Sequence, residues 1–286
     1  MIFRTRFAPS PTGPLHLGHA YSALLAHDHA RRTPGGQFLL RIDDIDQSRA
    51  RKEWEQQIYQ DLAWLGITWD APPRRESDHL AEYQAALQCL ADRGLIYPCS
   101  CSRRDIREAA SAPQERTPRQ GPDGLIYPGI CRGRAMSDMR ESDAIRLDMR
   151  KAIDSLSALP SFREIGDLHK GTHALTTNTL CCGIGDAVLA RPQMGASYHL
   201  SVVVDDAAQR ITHAIRGADL FAATALHRLL AALLDVASPV YLHHDLIRDA
   251  AGKRLAKRDD ARAIRLYRSE GATPEDIRRM VGLPPA

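Results

Sequence analysis

The sequence predicts an α/β fold wound on a parallel sheet, interrupted by an inserted module and closed by a short helical end. Three observations predict it. Residues 2–66 read as strand, turn, helix, strand, helix; the stretch 98–142 loses periodicity and fills with Cys, Arg, Pro and Gly; and buried strand-like runs return after 187. Strands alternating with helices build parallel sheets, because each helix crosses the sheet face to reach the next strand.

Each element has its own local reason. Residues 2–7 alternate as a short strand, and "FAPSPTGPLHLGH" (7–19) follows as a stiff turn. "HAYSALLAHDHARR" (19–32) has helical composition, and "TPGG" ends it. "QFLLRID" (37–43) is a buried strand running into acidic residues, while "RARKEWEQQIYQDLAWLG" (49–66) carries a helical period that stops at Gly66. "AIRLDM" (144–149) alternates as a half-exposed strand. "AVLA" (187–190), "LSVVVDD" (200–206) and "ITHAIRG" (211–217) read as strands of the resumed parallel sheet. Near the end, Thr273 and Pro274 suit the N-cap and first position of a short helix, with Glu275 and Asp276 in its first turn. The expected organisation is a catalytic-type domain in two halves, 1–85 and 181–240, an insertion at 86–180 and a C-terminal segment at 241–286. The proline-rich stretch 111–124 is expected to be a loop.

Composition narrows the class. A chain of 286 residues that is 44% hydrophobic and 26% charged buries an ordinary globular core. The longest apolar run, "LLAALL" (229–234), is one helix face and falls short of a membrane span. The N-terminus lacks the apolar region of a signal peptide, so a cytoplasmic protein without a membrane partner is expected. The net charge of +3 is too small to argue for nucleic acid by itself, but "CSRRDIR", "CRGR" and "KRLAKRDDARAIRLYR" gather Arg and Lys into patches that suit an anionic partner. Six cysteines in such a chain point to metal or to chance rather than to disulfides.

The turn at 7–19 carries the chemistry. A strand that bends sharply into a helix exposes backbone N–H groups at the positive end of the helix dipole, a seat for phosphate. Gly18 lets a ligand approach the backbone, and His16 and His19 can donate to phosphate oxygens; Pro9, Pro11, Gly13 and Pro14 hold the approach. Other nucleotide motifs fail. "GKR" (252–254) lacks the glycine and hydroxyl residue of a P-loop, and "GIGDAV" (183–188) lacks a third glycine and precedes a strand.

"RFAPSPTGPLHLGH" resembles the first signature of class I aminoacyl-tRNA synthetases in its glutamyl form. "LRIDDIDQSR" (40–49), "VVVDD" (202–206) and "AIRGADL" (214–220) are similar to further blocks of that family in matching order, and "KRLAKRDDA" (253–261) resembles its second signature. The resemblance implies a Rossmann-like catalytic domain with an inserted zinc-bearing subdomain and a short helical end. It also implies roles. Arg6, Ser10, Tyr198 and Arg216 match glutamate contacts, and Asp43 stands where the family has Glu; a structural acid at a strand end is the plain alternative for Asp43. His16, Gly18, His19 and Lys257 match the ATP site, with His16, His19 and Lys257 catalytic. Arg254 keeps the charge of the usual Lys in the second signature, whereas Ala256 removes the usual hydroxyl.

Cys99, Cys101 and Cys131 offer three ligands, one short of a closed tetrahedral zinc site. The resemblance supplies Tyr127 as the fourth, for one structural zinc. ATP is expected as substrate together with magnesium, and L-glutamate as the amino acid. Only 28 residues, Asp259 to Ala286, follow Arg258 of the second signature. That leaves no room for the anticodon-binding region of a tRNA-charging relative. The expectation is therefore the short type, a monomer that attaches glutamate to the queuosine base in the anticodon of tRNA(Asp). The rivals are a truncated glutamyl- or glutaminyl-tRNA synthetase and a tRNA-binding paralogue without catalysis.

Overall fold

The computed structural model describes residues 2–111, 120–248 and 262–285. In chain order the first strands and helices are β1 (Arg4–Phe7), α1 (Leu17–Arg32), β2 (Gln37–Ile42), α2 (Lys52–Trp64), β3 (Arg74–Arg75), α3 (Leu80–Asp92), β4 (Ile96–Cys99) and α4 (Arg103–Ser111). The middle holds β5 (Gln120–Gly121), β6 (Gly124–Leu125), β7 (Ala144–Leu147), α5 (Met149–Asp154), β8 (Ser161–Glu164), β9 (Gly171–Ala174) and β10 (Val188–Ala190). The remainder is α6 (Tyr198–Ala208), β11 (His213–Gly217), α7 (Thr224–Leu233), β12 (Val240–His244), α8 (Ile264–Ser269) and α9 (Pro274–Met280).

β2 pairs in parallel with β1 on one side and β3 on the other, and β12 pairs in parallel with both β11 and β8. The two sets meet at β1 and β11. There the Thr212 N–H donates to the Arg4 carbonyl at 2.9 Å, and the Arg4 N–H donates to Thr212 Oγ1 at 2.8 Å. β1 thus lies between its own successor β2 and the late strand β11, and the carboxyl ends of β1 and β11 open at the point where strand order reverses. Open α/β sheets bind ligands at such a crevice, because connections leave in opposite directions and expose it.

Helix α1 packs on this sheet through Ala20, Ala23, Leu24, Ala26 and Ala30, a helical period of mostly small residues. His29, Arg31 and Arg32 in its last turn complement the dipole. At the C-terminal end, the Thr273 hydroxyl accepts from the Asp276 N–H and the Asp276 carboxylate accepts from the Thr273 N–H, so Pro274 opens α9 inside a reciprocal cap. The buried Arg278 guanidinium then pairs with Asp28 at 2.5 Å and ties α9 to α1.

Two expectations are corrected. "LSVVVDD" forms part of helix α6, not a strand. His199, Leu200, Ser201, Val202, Val203, Asp205 and Asp206 are all buried, and a segment enclosed on all sides shows no amphipathic period to separate helix from strand. "AVLA" does contain a strand, β10, but it pairs antiparallel with β7, which pairs antiparallel with β4. An apolar run reports burial and says nothing of direction. Within the stretch 86–180, β8 joins the parallel sheet through β12, while β4 and β7 share the separate antiparallel sheet with β10. Among the described residues no helix is long and apolar enough to cross a membrane.

Candidate active site

The turn after β1 is held from three sides. The Asp43 N–H donates to the Pro9 carbonyl (3.1 Å), Arg51 to Pro11 (3.0 Å) and Ile264 to Leu15 (2.8 Å). His16 then caps α1 from an extended backbone. Its Nδ1 accepts the Gly18 N–H at 3.1 Å, and His19 Nδ1 accepts the His16 N–H at 3.1 Å. Two histidines thus form the reciprocal cap that Ser and Glu form elsewhere. Because both Nδ1 atoms accept, the neutral rings carry their protons on Nε2. No acidic residue occupies the first turn of α1, so the positive end of its dipole is not neutralised from within the helix. Gly18 has a packing reason as well as the expected one: a Cβ there would lie 3.0 Å from His16 Cε1.

A cleft of about 520 Å³ opens over this helix end. Arg6, Ser10, His16, Gly18 and His19 line it from the first signature, Asp43 lines it from the end of β2, and Tyr198 and Arg216 line it from α6 and β11. Residues more than two hundred positions apart therefore face one space. Lys257, Arg254 and Ala256 lie outside the described residues. The described chain lines the cleft as far as Ile247, and resumes beside His16, whose backbone bridges to Ala263.

Charge on the cleft floor is organised by residues that the sequence reading did not single out. Arg6 donates from Nε and Nη2 to the two oxygens of Asp206 (2.9 and 3.2 Å). The fully buried Arg41 donates to Asp206 (2.7 Å) and to Asp43 Oδ1 (2.8 Å). Burial pushes Asp206 up, but Arg6 and Arg41 together outweigh it and hold its carboxyl below the usual range. At Asp43 burial wins over the Arg41 guanidinium, and its carboxyl is raised. Asp205 receives Arg74 (2.8 Å) and the Tyr83 hydroxyl (2.9 Å), anchoring the helix that carries Tyr198. Ser22 Oγ sits 2.7 Å from His244 Nε2 at the cleft wall, a further pair without a sequence signal. "LRIDD" and "VVVDD" held the only hint, two acidic pairs at element ends.

Arg216 is buried and donates to four neighbours: Nε to His243 Nε2 (3.0 Å), Nη1 to His227 Nδ1 (3.1 Å), and Nη2 to Thr224 Oγ1 (2.8 Å) and the Leu220 carbonyl (3.5 Å). Burial, aided by the guanidinium, holds His227 well below its ordinary value and lowers His243 to about 4. Both rings are neutral at physiological pH.

Away from the cleft, the thiols of Cys99, Cys101 and Cys131 converge, their sulfurs all within 4.8 Å of one another. Tyr127 Oη lies 3.4 Å from Cys99 Sγ and 3.3 Å from Cys101 Sγ, and Cys101 and Cys131 Sγ are 3.5 Å apart. A tetrahedral zinc sets sulfur–sulfur separations near ~3.7 Å and sulfur–oxygen separations near ~3.5 Å. The four donors fit a metal of that size. Arg146 donates to Cys99 Sγ (3.2 Å) with its guanidinium 3.8 Å over the Tyr127 ring, and the Cys131 N–H donates to Tyr127 Oη (2.8 Å); both favour anionic ligands.

A parallel sheet whose first strand turns through prolines into a histidine-capped helix, above a cleft with three buried arginines, defines a class. The chain belongs to the class I tRNA synthetases of the E and Q type, whose catalytic domain matches residues 2–284. Within that family it groups with the glutamyl-Q tRNA(Asp) synthetases. It is 58% identical over 280 residues to the one from Rhodobacter capsulatus, covering 98% of this chain and 99% of that one. It is 38% identical over 287 residues to the one from Nitratidesulfovibrio vulgaris, covering 96% and 84%. The crystal structure of a glutamate tRNA ligase from Elizabethkingia meningosepticum, in complex with its amino acid, superposes with a TM-score of 0.76 at 27% identity. That match takes in 98% of this chain, which spans about 60% of the length of the ligase.

Proposed function

We propose that the protein activates L-glutamate with ATP and transfers the glutamyl group to the queuosine base of tRNA(Asp). One observation carries the reading: a single cleft combines a helix N-terminus suited to phosphate with Arg6 and Arg216 for carboxylates and Asp43 for an ammonium. Glutamate presents those three charges, and charge-assisted hydrogen bonds orient it. In the first step a carboxylate oxygen of glutamate forms a bond to the α-phosphorus of ATP, and pyrophosphate leaves with the broken bond's electrons. In the second, a hydroxyl of the base's diol attacks the glutamyl carbonyl, and AMP leaves as the hydroxyl proton is lost.

The chain's own residues act by positioning and by charge. Nε2–H of His16 and His19, with the N-terminus of α1, receive phosphate oxygens, and Lys257 is assigned to the charge that develops as pyrophosphate departs. Magnesium accompanies the phosphates of ATP. Cys99, Cys101, Tyr127 and Cys131 would hold one zinc. That zinc would cross-link β4 to the segment around Cys131 and take no part in the reaction. The test is labelled glutamate with tRNA(Asp) from cells that can or cannot make queuosine, alongside tRNA(Glu). Label is expected on queuosine-containing tRNA(Asp) alone, and it should survive periodate oxidation of the 3′-terminal ribose when the base's diol is protected. Charging of tRNA(Glu) without label on tRNA(Asp) would overturn the reading in favour of a glutamyl-tRNA synthetase.

A further inference from the structure

Arg216 sits in the middle of a run of side chains that reaches from an exposed acid to a buried one. His227 Nε2 lies 3.0 Å from His199 Nδ1, and His199 Nε2 lies 2.8 Å from Oδ2 of Asp123, in the turn between β5 and β6. On the other side, His243 Nδ1 lies 2.5 Å from Oε2 of the fully buried Glu164, whose Oε1 accepts the N–H groups of Gly166 and His243. His199, His227 and His243 are all buried, whereas the Asp123 side chain is 62% exposed.

Proton positions along this run follow from one fact: a guanidinium only donates. His227 Nδ1 faces Arg216 and must accept, so a neutral His227 carries its proton on Nε2 and gives it to His199 Nδ1. His199 then carries its own on Nε2 and gives it to Asp123. His243 Nε2 also faces Arg216 and must accept, so His243 carries its proton on Nδ1 and gives it to Glu164. Each ring has one consistent tautomer and no hydrogen bond is left facing a like group. A proton added to His227 or His243 would set an N–H against the guanidinium.

We infer that His243 with Glu164, and His227 with His199 and Asp123, are positioning residues that hold Arg216 by a fixed order of tautomers, setting the affinity for the anionic group that Arg216 receives. The run also joins the segment between Cys101 and Tyr127 to the cleft, since Asp123 belongs to that segment. The affinity part of this inference rests on the glutamate reading of Arg216; the tautomer part does not.

Two measurements test it. Nitrogen-15 shifts of the histidine rings in the intact protein report the protonated nitrogen, with His199, His227 and His243 assigned through their variants. Protons are expected on Nε2 of His199 and His227 and on Nδ1 of His243; any other assignment overturns the relay. The second is a crossed pair of substitutions. The glutamine oxygen can take the place of a histidine Nε2, and the asparagine oxygen that of Nδ1. His243→Gln and His227→Asn should therefore keep KM for glutamate within about threefold of the parent, whereas His243→Asn and His227→Gln should raise it about tenfold or more with kcat little changed, as expected for one lost charge-assisted hydrogen bond. The same order of Gln and Asn at both positions would reduce the histidines to packing and overturn the inference. If the parent shows no glutamate-dependent pyrophosphate exchange, the substrate reading fails and the nitrogen shifts still decide the relay.

Discussion

Gly18→Ala isolates the histidine cap from the stability of the fold. The new Cβ falls 3.0 Å from His16 Cε1 and 3.2 Å from His16 Nδ1. Carbon atoms rest at about 3.5–4.0 Å, so the ring must retreat by roughly half an ångström. That retreat pulls Nδ1 from the Gly18 N–H that it holds at 3.1 Å, and it disturbs a partner ring whose centroid is 3.8 Å away. Losing an N-cap bond costs about 1 kcal/mol, and replacing Gly by Ala in a helix returns up to about 1 kcal/mol. The two offset. Net stability should change by less than about 1 kcal/mol, about 2 °C in Tm for a chain of this length. Catalysis has no such compensation, because displaced donors no longer meet the phosphate oxygens, and a loss of ~10-fold to ~10²-fold is expected. Glutamate-dependent ATP–pyrophosphate exchange, measured beside a thermal melt, separates the two. Exchange within twofold of the parent would refute the assigned role of the cap, and a melt lowered by more than about 8 °C would mean the change acts through folding instead.

On the proposed role of Lys257 against the charge that develops as pyrophosphate departs, Lys257→Ala should depress the same exchange by ~10²-fold or more with the melt unchanged; near-normal exchange would remove that role. Purified protein should carry about one equivalent of zinc per chain by elemental analysis, and Cys131→Ser should lower that value; a metal-free parent with full activity would exclude the site. Burial, with Asp43 next in effect, pushes the carboxyl of Glu76 up to about 8 from an ordinary 4.5. A carboxyl raised on folding binds its proton more tightly folded than unfolded, so its contribution is complete below about pH 4.5 and is lost as pH rises through 8. Glu76→Gln should flatten the decline of the urea midpoint between about pH 5 and 8, and equal slopes in both proteins would rule the cause out.

Local chemistry was legible in the sequence. Pro9, Pro11 and Pro14 with Gly13, around Ser10 and Thr12, announce a stiff turn because they act on their own backbone dihedrals. Thr273, Pro274 and Asp276 likewise announce a helix start, because a cap reaches only three residues. The chemistry expected at the cleft came from the family resemblance that the signature motifs carry: Arg6, Arg216, Ser10, Tyr198 and Asp43 for glutamate, with His16 and His19 for ATP. What the sequence could not carry was pairing at a distance. Asp206 clamps Arg6 from two hundred positions away, and Asp123 in the β5–β6 turn meets His199 of α6; neither contact leaves a mark on its own neighbours in sequence. Enclosure hid the rest. All of residues 200–206 but Val204 are buried, so the alternation that separates helix from strand never forms, and only the tertiary structure decided that Asp205 and Asp206 lie on a helix, where their carboxylates hold Arg74, Arg6 and Arg41.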